Sequence, residues 1–261
     1  MKKIALVTGA SAGLGKEFIR QLIWKDYDEV WAIARRMDKL IELRKTTRIP
    51  IRAIALDLTK KSSIRELEEL LEKEKPRIHL LVNSAGFGKI GNYKEVSRQD
   101  CDRMIELNCR AAVDLTSICL PYMSRGDKIL EICSAAAFQP LPYLNVYAAT
   151  KAFLYHYSRA LHAELRHRGI TVTAVCPYWV KDTEFISIAE KSDGKNRIAS
   201  YPMASKKRHV VRRSLLASYL GFPVSTPSLL SFIERYACHL LPDGILMGLW
   251  DGVRTKVTKN K

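Results

Sequence analysis

Short apolar, β-branched runs alternate along most of this chain with stretches whose apolar residues recur every three to four positions. Runs at 4–8, 29–34, 51–56, 79–82, 127–134 and 170–176 predict strands. The stretches 14–25, 38–45, 62–73, 98–123 and 146–168 predict helices, the last two long. Strands alternating with helices are joined by crossovers, which makes neighbouring strands parallel and puts helices on both faces of the sheet. The expected fold class is therefore α/β, a doubly wound parallel sheet of about seven strands.

The alternation breaks down after Pro177. Residues 182–208 read as an irregular, partly helical, basic insertion, 209–220 as a helix and 222–225 as the seventh strand. Two amphipathic helices follow, one with Leu229, Ile233, Tyr236, Ala237 and Leu240 on a face, the other with Ile245, Leu246, Leu249, Trp250 and Val253. The organisation expected is one domain over 1–261, with a lid insertion at about 182–215 and C-terminal helices at about 228–254.

The 261 residues, 47% of them hydrophobic, are ample for a large core. No repeat or low-complexity tract interrupts them. The opening MKKIALV has an apolar run too short for a secretory leader, and no run reaches the roughly 18 residues that span a bilayer. Six cysteines form no CxxC pair and lie mostly in apolar segments, as reduced core thiols of a cytoplasmic protein would.

The formal charge of +16 points to anionic partners, but no helix-turn-helix, zinc finger or aromatic-basic platform accompanies it. Nucleic-acid binding is therefore not expected. Part of the excess sits at Arg35 and Arg36. Part lies between Lys191 and Arg213, where Lys195, Arg197, Lys206, Lys207, Arg208 and Arg212 face only Asp193. That stretch reads equally as a solvated loop, a magnet for an anionic substrate, or a peripheral contact to an anionic membrane.

The first strand runs into TGASAGLG, placing Thr8, Gly9, Gly13 and Gly15 at the first strand-to-helix junction. Such a turn lets backbone amides approach a pyrophosphate at the positive end of a helix; it is also what any tight turn there requires. At the end of the second strand, Ala34 occupies the slot where an acid would bind a ribose 2′-hydroxyl, and Arg35 and Arg36 follow. Arginines there accommodate a 2′-phosphate, so the cofactor expected is NADP(H).

Tyr147 and Lys151 are four residues apart on a predicted helix and share a face. A fixed ammonium favours the phenolate and lowers the pKa of a tyrosine, which otherwise lies near 10. Ser134 ends the preceding strand, at the sheet edge where ligands bind in such folds.

Together these residues resemble the short-chain dehydrogenase/reductase family in its classical form. TGASAGLG is similar to its glycine motif, Asp57 to its adenine-contacting acid and NSAG at 83–86 to its NNAG motif. Asn108 corresponds to its helix asparagine, and Ser134, Tyr147 and Lys151 to its catalytic group. The resemblance runs from residue 4 to about 180. The stretches around NSAGFGKIG and YAATKAF further resemble a bacterial subgroup related to long-chain 3-oxoacyl reductases and hydroxysteroid dehydrogenases.

The resemblance implies a Rossmann-type sheet and hydride transfer between nicotinamide and a carbonyl or secondary alcohol. It makes Tyr147 the general acid or base, Ser134 the group that orients the carbonyl, and Lys151 the residue that tunes Tyr147 and holds the nicotinamide ribose. Asn108 would hold a water linking Lys151 to solvent; a helix-interior asparagine bonded to backbone is the other reading. Around the cofactor it implies Thr8, Gly9, Ser11, Gly13, Leu14 and Gly15, then Arg35, Arg36, Asp57 and Leu58. It adds Asn83, Ala85 and Gly86, and beyond the sixth strand Pro177, Val180 and Thr183. There CPYWVKDT departs from the family, with Tyr178 in place of a glycine and Asp182 where threonine is usual.

Gln139, Tyr143, Tyr178 and Trp179, with Leu141 and Leu144, are expected to line a pocket for an apolar substrate such as a steroid or acyl chain. A homodimer or homotetramer is implied, paired through the long helices, which carry Cys109, Val113, Leu115, Phe153, Leu154 and Leu161. Two other functions remain open: a non-catalytic dinucleotide-binding sensor or scaffold, and an epimerase or dehydratase acting on nucleotide sugars.

Overall fold

A computed structural model of the chain describes residues 1–22, 26–191, 201 and 203–258. The expected helix end at Lys25, and Asp193, Lys195 and Arg197 of the basic stretch, lie outside the described residues. The elements run β1 (Lys3–Thr8), α1 (Gly13–Gln21), β2 (Glu29–Ala34), α2 (Met37–Thr46), β3 (Ile51–Ala55), α3 (Lys61–Glu74) and β4 (Arg77–Asn83). They continue with α4 (Arg98–Ile105), α5 (Ala111–Cys119), β5 (Lys128–Ile132), α6 (Asn145–Glu164) and β6 (Thr171–Val175). The last third holds β7 (Val180–Lys181), α7 (Phe185–Ala189), β8 (Ser205–Lys206), α8 (Lys207–Tyr219), β9 (Val224–Ser225), α9 (Leu229–Leu240) and α10 (Asp243–Thr258).

Seven strands form one parallel sheet in the order β3-β2-β1-β4-β5-β6-β9, and β7 pairs with β8 apart from it. Alternate side chains of each strand enter opposite cores. Ala5, Val7, Val30 and Ala32 pack with Phe18 of α1, Leu40 of α2 and Val211 of α8. Ile4, Leu6, Trp31 and Ile33 pack with Leu67 of α3, Leu115 of α5 and Leu161 of α6. Burial on both faces is why these strands read as continuous apolar runs. The chain winds outward from β1 to β3, then returns to place β4 on the other side of β1. A crevice opens at that reversal, beyond the carboxyl ends of β1 and β4.

The single helix expected over 98–123 is interrupted. A π-helical turn, Glu106–Arg110, separates α4 from α5, and a short 3-10 turn, Leu120–Tyr122, ends the segment at Pro121. Of the apolar residues expected to give these long helices a spare surface, Cys109, Leu115, Leu154 and Leu161 are buried within the chain, whereas Phe153 is exposed and stacks on Tyr157. Exposed apolar side chains lie on α9 instead, at Leu229, Ile233, Tyr236 and Leu240. The face expected on α10 divides: Leu246 is buried, Ile245 and Leu249 are exposed, and the Trp250 indole donates to Pro142 O at 2.9 Å. No described helix is long and apolar enough to cross a membrane. All six cysteines carry free thiols.

Candidate active site

The crevice is a cavity of about 420 Å³. One wall is the turn from β1 into α1. Gly9 and Gly13 have φ of +65° and +53°, which favour glycine. A Cβ on Gly15 would lie 2.4 Å from Gly9 O, so only glycine lets the helix approach the turn this closely. A Cβ on Gly9 would meet Ala85 N at 3.0 Å. Ala12 caps α1 without a side-chain hydrogen bond, which leaves first-turn amides directed at the cavity wall where Ser11, Gly13 and Leu14 lie. This cradle suits a dinucleotide pyrophosphate.

Thr8 and Asn83 do not face the cavity. The Thr8 hydroxyl accepts from Ser84 N and Ala85 N, both at 3.0 Å, and ties β1 to the loop after β4. Asn83 Nδ2 contacts Thr116 Oγ1 at 3.0 Å and Glu131 Oε1 at 2.8 Å, beneath the site. Gly15 is likewise behind the wall. Ala85, Gly86, Leu58 and Pro177, Val180 and Thr183 line the cavity.

At the outer end lie Arg35, Arg36 and Asp57. Arg36 donates to Ser11 Oγ at 3.2 Å and pairs with Glu184. Burial pushes the Asp57 carboxyl up, but hydrogen bonds from Thr59 and the Arg35 charge outweigh it and hold the group below the usual range.

At the inner end, Ser134, Tyr147 and Lys151 converge as their spacing predicts. Ser134 leaves β5 in a 3-10 turn, its Oγ accepting from Ala136 N at 3.2 Å. Lys151 Nζ donates to Ile132 O at 2.7 Å and lies 5.8 Å from the centroid of the Tyr147 ring. Burial raises the Tyr147 pKa, and the adjacent Ser134 hydroxyl opposes the rise. Burial also lowers the pKa of Lys151. The simple expectation of a phenol acidified by its lysine is therefore outweighed here by desolvation of both groups.

Asn108 sits in the π-helical turn. Its Nδ2 donates to Phe87 O at 2.9 Å and to Thr150 Oγ1 at 3.0 Å, and its Oδ1 accepts from Phe87 N at 3.1 Å. The side chain thus holds the loop after β4 against α6. A Cβ on Gly86 would meet Asn108 Oδ1 at 2.9 Å and Lys151 Nζ at 3.4 Å, which explains the glycine at the end of NSAG.

Of the expected substrate residues, Gln139, Tyr178 and Trp179 line the cavity, as do Leu141 and Leu144. Tyr143 does not: its φ is +67° and its ring lies under the Arg254 guanidinium, 3.6 Å from the centroid. Lys89 and Phe185, from the 87–94 and 178–215 segments expected to line the pocket, do so, whereas sequence reasoning missed Arg103, Glu234 and Trp250, which also line it. Phe185 packs on Tyr147 with ring centroids 5.3 Å apart. Burial pushes Glu234 up to about 7. Trp250 and Glu234 come from C-terminal helices whose docking no local pattern reports. Of the basic cluster, Lys207 lies 3.8 Å from Asp182, and Arg213 donates to Pro227 O at 2.7 Å.

Residues 3–193 match the family described as short chain dehydrogenase. A very-long-chain 3-oxoacyl-CoA reductase of Macaca fascicularis is 28% identical over 273 residues, covering 98% of this chain and 78% of its own. The NADP-dependent 3-hydroxy acid dehydrogenase YdfG of Escherichia coli K12 is 34% identical over 193 residues, 73% of this chain and 77% of its own. A short-chain dehydrogenase of Sphingobium yanoikuyae, solved in complex with NADPH, matches with a TM-score of 0.78 at 26% identity over 96% of each chain. The family match spans β1 to β6 of the sheet, the glycine cradle and the Ser134, Tyr147 and Lys151 group, and on it the chain belongs to the short-chain dehydrogenase family of oxidoreductases.

Proposed function

We propose that this protein is an NADP(H)-dependent oxidoreductase that interconverts a carbonyl and a secondary alcohol on an apolar substrate. The observation that carries the reading is one cavity with two chemically distinct ends: Arg35 and Arg36 at one, Ser134, Tyr147 and Lys151 at the other. The glycine cradle between them fits a pyrophosphate. The arginines supply charge for a 2′-phosphate where Ala34 leaves no acid to repel it. The NADPH complex of the Sphingobium relative and the NADP dependence in the name of the Escherichia coli relative support the same cofactor.

The bound cofactor supplies the hydride. The protein's own part is placement and proton traffic. The Ser134 hydroxyl orients the substrate oxygen toward the Tyr147 phenol, which donates its proton in reduction and takes it back in oxidation. Lys151 supplies the positive charge that makes a phenolate tolerable in a buried site. Phe185, Trp179 and Leu144 surround Tyr147 and keep water from it. Those side chains favour an apolar ketone, such as a steroid or an acyl derivative, over a sugar. Thr183, which lines the cavity and whose Oγ1 donates to Val180 O at 3.0 Å, is the residue we assign to the nicotinamide contact despite the shifted motif.

The deciding experiment follows NADPH oxidation across ketosteroids, 3-oxoacyl thioesters and small aldehydes, beside NADH. Turnover with NADPH is expected. Preference for NADH, or isomerisation of a nucleotide sugar without net redox change, overturns the reading. Replacing Ala34 with Asp and both arginines with neutral residues should shift the preference toward NADH, since each charge-assisted bond to a phosphate contributes about 1.5–3 kcal/mol. Assembly into at least a dimer goes with the family reading, and light scattering tests it.

A further inference from the structure

One ionisable group beneath the site has no part in the chemistry above. Glu131 lies in β5, three residues before Ser134, and is fully buried. Its Oε1 accepts from Asn83 Nδ2 at 2.8 Å and Thr116 Oγ1 at 2.9 Å. Its Oε2, and Oδ1 of Asn83, have no hydrogen-bond partner among the described residues. Among the described residues no arginine or lysine pairs with it directly. A buried carboxylate in that state is costly, because bare charge has been removed from water without a full set of donors. A proton on the carboxyl removes the charge and adds the donor that the cluster lacks.

The position ties this group to the reaction. Glu131 O accepts from Cys133 N at 3.0 Å, at the bend that lifts the chain out of the sheet toward Ser134. The next carbonyl, Ile132 O, receives Lys151 Nζ. Glu131 and Asn83 are register partners at the ends of β5 and β4, so their bond fixes both strand ends from which the site loops depart. Each packed element contributes a neighbour. From α6 come Lys151 and Tyr157, from α5 Cys119 and Thr116, from β4 Asn83, and β6 sets Ala174 opposite. Lys151 is the one cation among them.

We propose that Glu131 is a positioning residue for the reaction, a neutral buried acid that anchors the end of β5 and whose loss of a proton weakens proton transfer at Tyr147. The inference rests on the oxidoreductase reading above. Its direction follows from charge. Either direction of reaction requires negative charge on the Tyr147 oxygen, and Lys151 is the cation that supports it. An ionised Glu131 draws on the same cation and adds a second buried anion nearby. Burial pushes Glu131 up to about 8, against the hydrogen bonds from Asn83 and Thr116 and the Lys151 charge, so the change falls just above neutrality.

The test compares wild type with Glu131→Gln, which keeps the shape and replaces the acid proton by an amide donor. Infrared difference spectra at neutral pH should show the carbonyl stretch of a protonated carboxylic acid in wild type that vanishes in the variant. The profile of kcat against pH, with 4-nitrobenzaldehyde and saturating NADPH, should have a descending limb near pH 8 in wild type that Glu131→Gln loses. Thr116→Val removes a donor to the ionised form and should move that limb to higher pH. A carboxylate band at neutral pH overturns the inference. So does an identical profile in Glu131→Gln while wild-type turnover is intact. Failure of wild type on every carbonyl overturns the parent reading instead.

Discussion

Arg36 and Glu184 form a two-pronged ion pair across the cavity mouth, Nη2 to Oε2 at 2.8 Å and Nη1 to Oε1 at 3.3 Å. Glu184 immediately precedes Phe185, which packs on the Tyr147 ring. A carboxylate thus occupies the arginine proposed to hold a 2′-phosphate, and binding NADPH requires exchanging one anion for the other. Partly exposed pairs contribute up to about 1 kcal/mol. Glu184→Gln should therefore tighten NADPH binding by roughly fivefold and leave NADH affinity unchanged, as read by fluorescence titration. Equal gains for both cofactors would assign the effect to general charge rather than to competition at Arg36.

Removal of the phenol tests the chemistry. Tyr147→Phe keeps the ring and its contact with Phe185 but deletes the transferable proton. We expect kcat to fall by about 10²–10⁴-fold while NADPH affinity stays within twofold, because general acid catalysis contributes on that scale. Lys151→Met should damage turnover and cofactor binding together. Steady-state kinetics and NADPH titration on the same preparations separate the two outcomes, and Tyr147→Phe activity within threefold of wild type would sink the assignment.

The glycine turn offers a steric contrast. Gly13→Ala meets only an ordinary contact, its Cβ 3.8 Å from Thr183 Cβ, and suffers the positive φ, a cost of about 1–2 kcal/mol. Gly15→Ala drives a Cβ to 2.4 Å from Gly9 O and 2.7 Å from Gly9 C, so the turn itself must move. Gly15→Ala should lose NADPH binding by more than tenfold and Gly13→Ala by much less. The reverse order would show that the amides of this turn do not hold the cofactor.

The strands and the catalytic spacing were legible because both rest on local periodicity. A run such as Ile4 to Val7 has one solution in a doubly covered sheet, and Tyr147 and Lys151 share a face by helical geometry alone. What escaped depends on distant parts of the chain. Tyr143 was expected in the cavity, yet Arg254, from the last helix, covers its ring. Arg36 was expected to stand free for a phosphate, and Glu184 takes it from the far side of the sheet's switch point. The π-helical turn at Asn108 leaves no mark on an apolar periodicity that tolerates one extra residue. Glu131 did carry a signal, an acid within KILEI, but strand periodicity records only that it faces inward.

Glu234 of α9, a half-buried acid on the cavity wall, sets the last expectation. Burial alone raises it from 4.5 to about 7. The folded protein then holds this proton between those two values while the unfolded chain has released it, so stability falls as pH rises through that window. A shift of this size corresponds to a loss on the order of 3 kcal/mol at most, since each unit is about 1.4 kcal/mol. Glu234→Gln removes the titration. The variant and wild type should melt together near pH 4, where both states are protonated, and diverge above neutrality with the variant more stable. Because Glu234 also lines the cavity with Tyr178 and Trp179, an apolar ligand that dries the pocket should widen this gap. Thermal melts at several pH values, with and without a ketosteroid, read both effects. A gap constant with pH would mean that the carboxyl titrates normally and that this end of the cavity is wet.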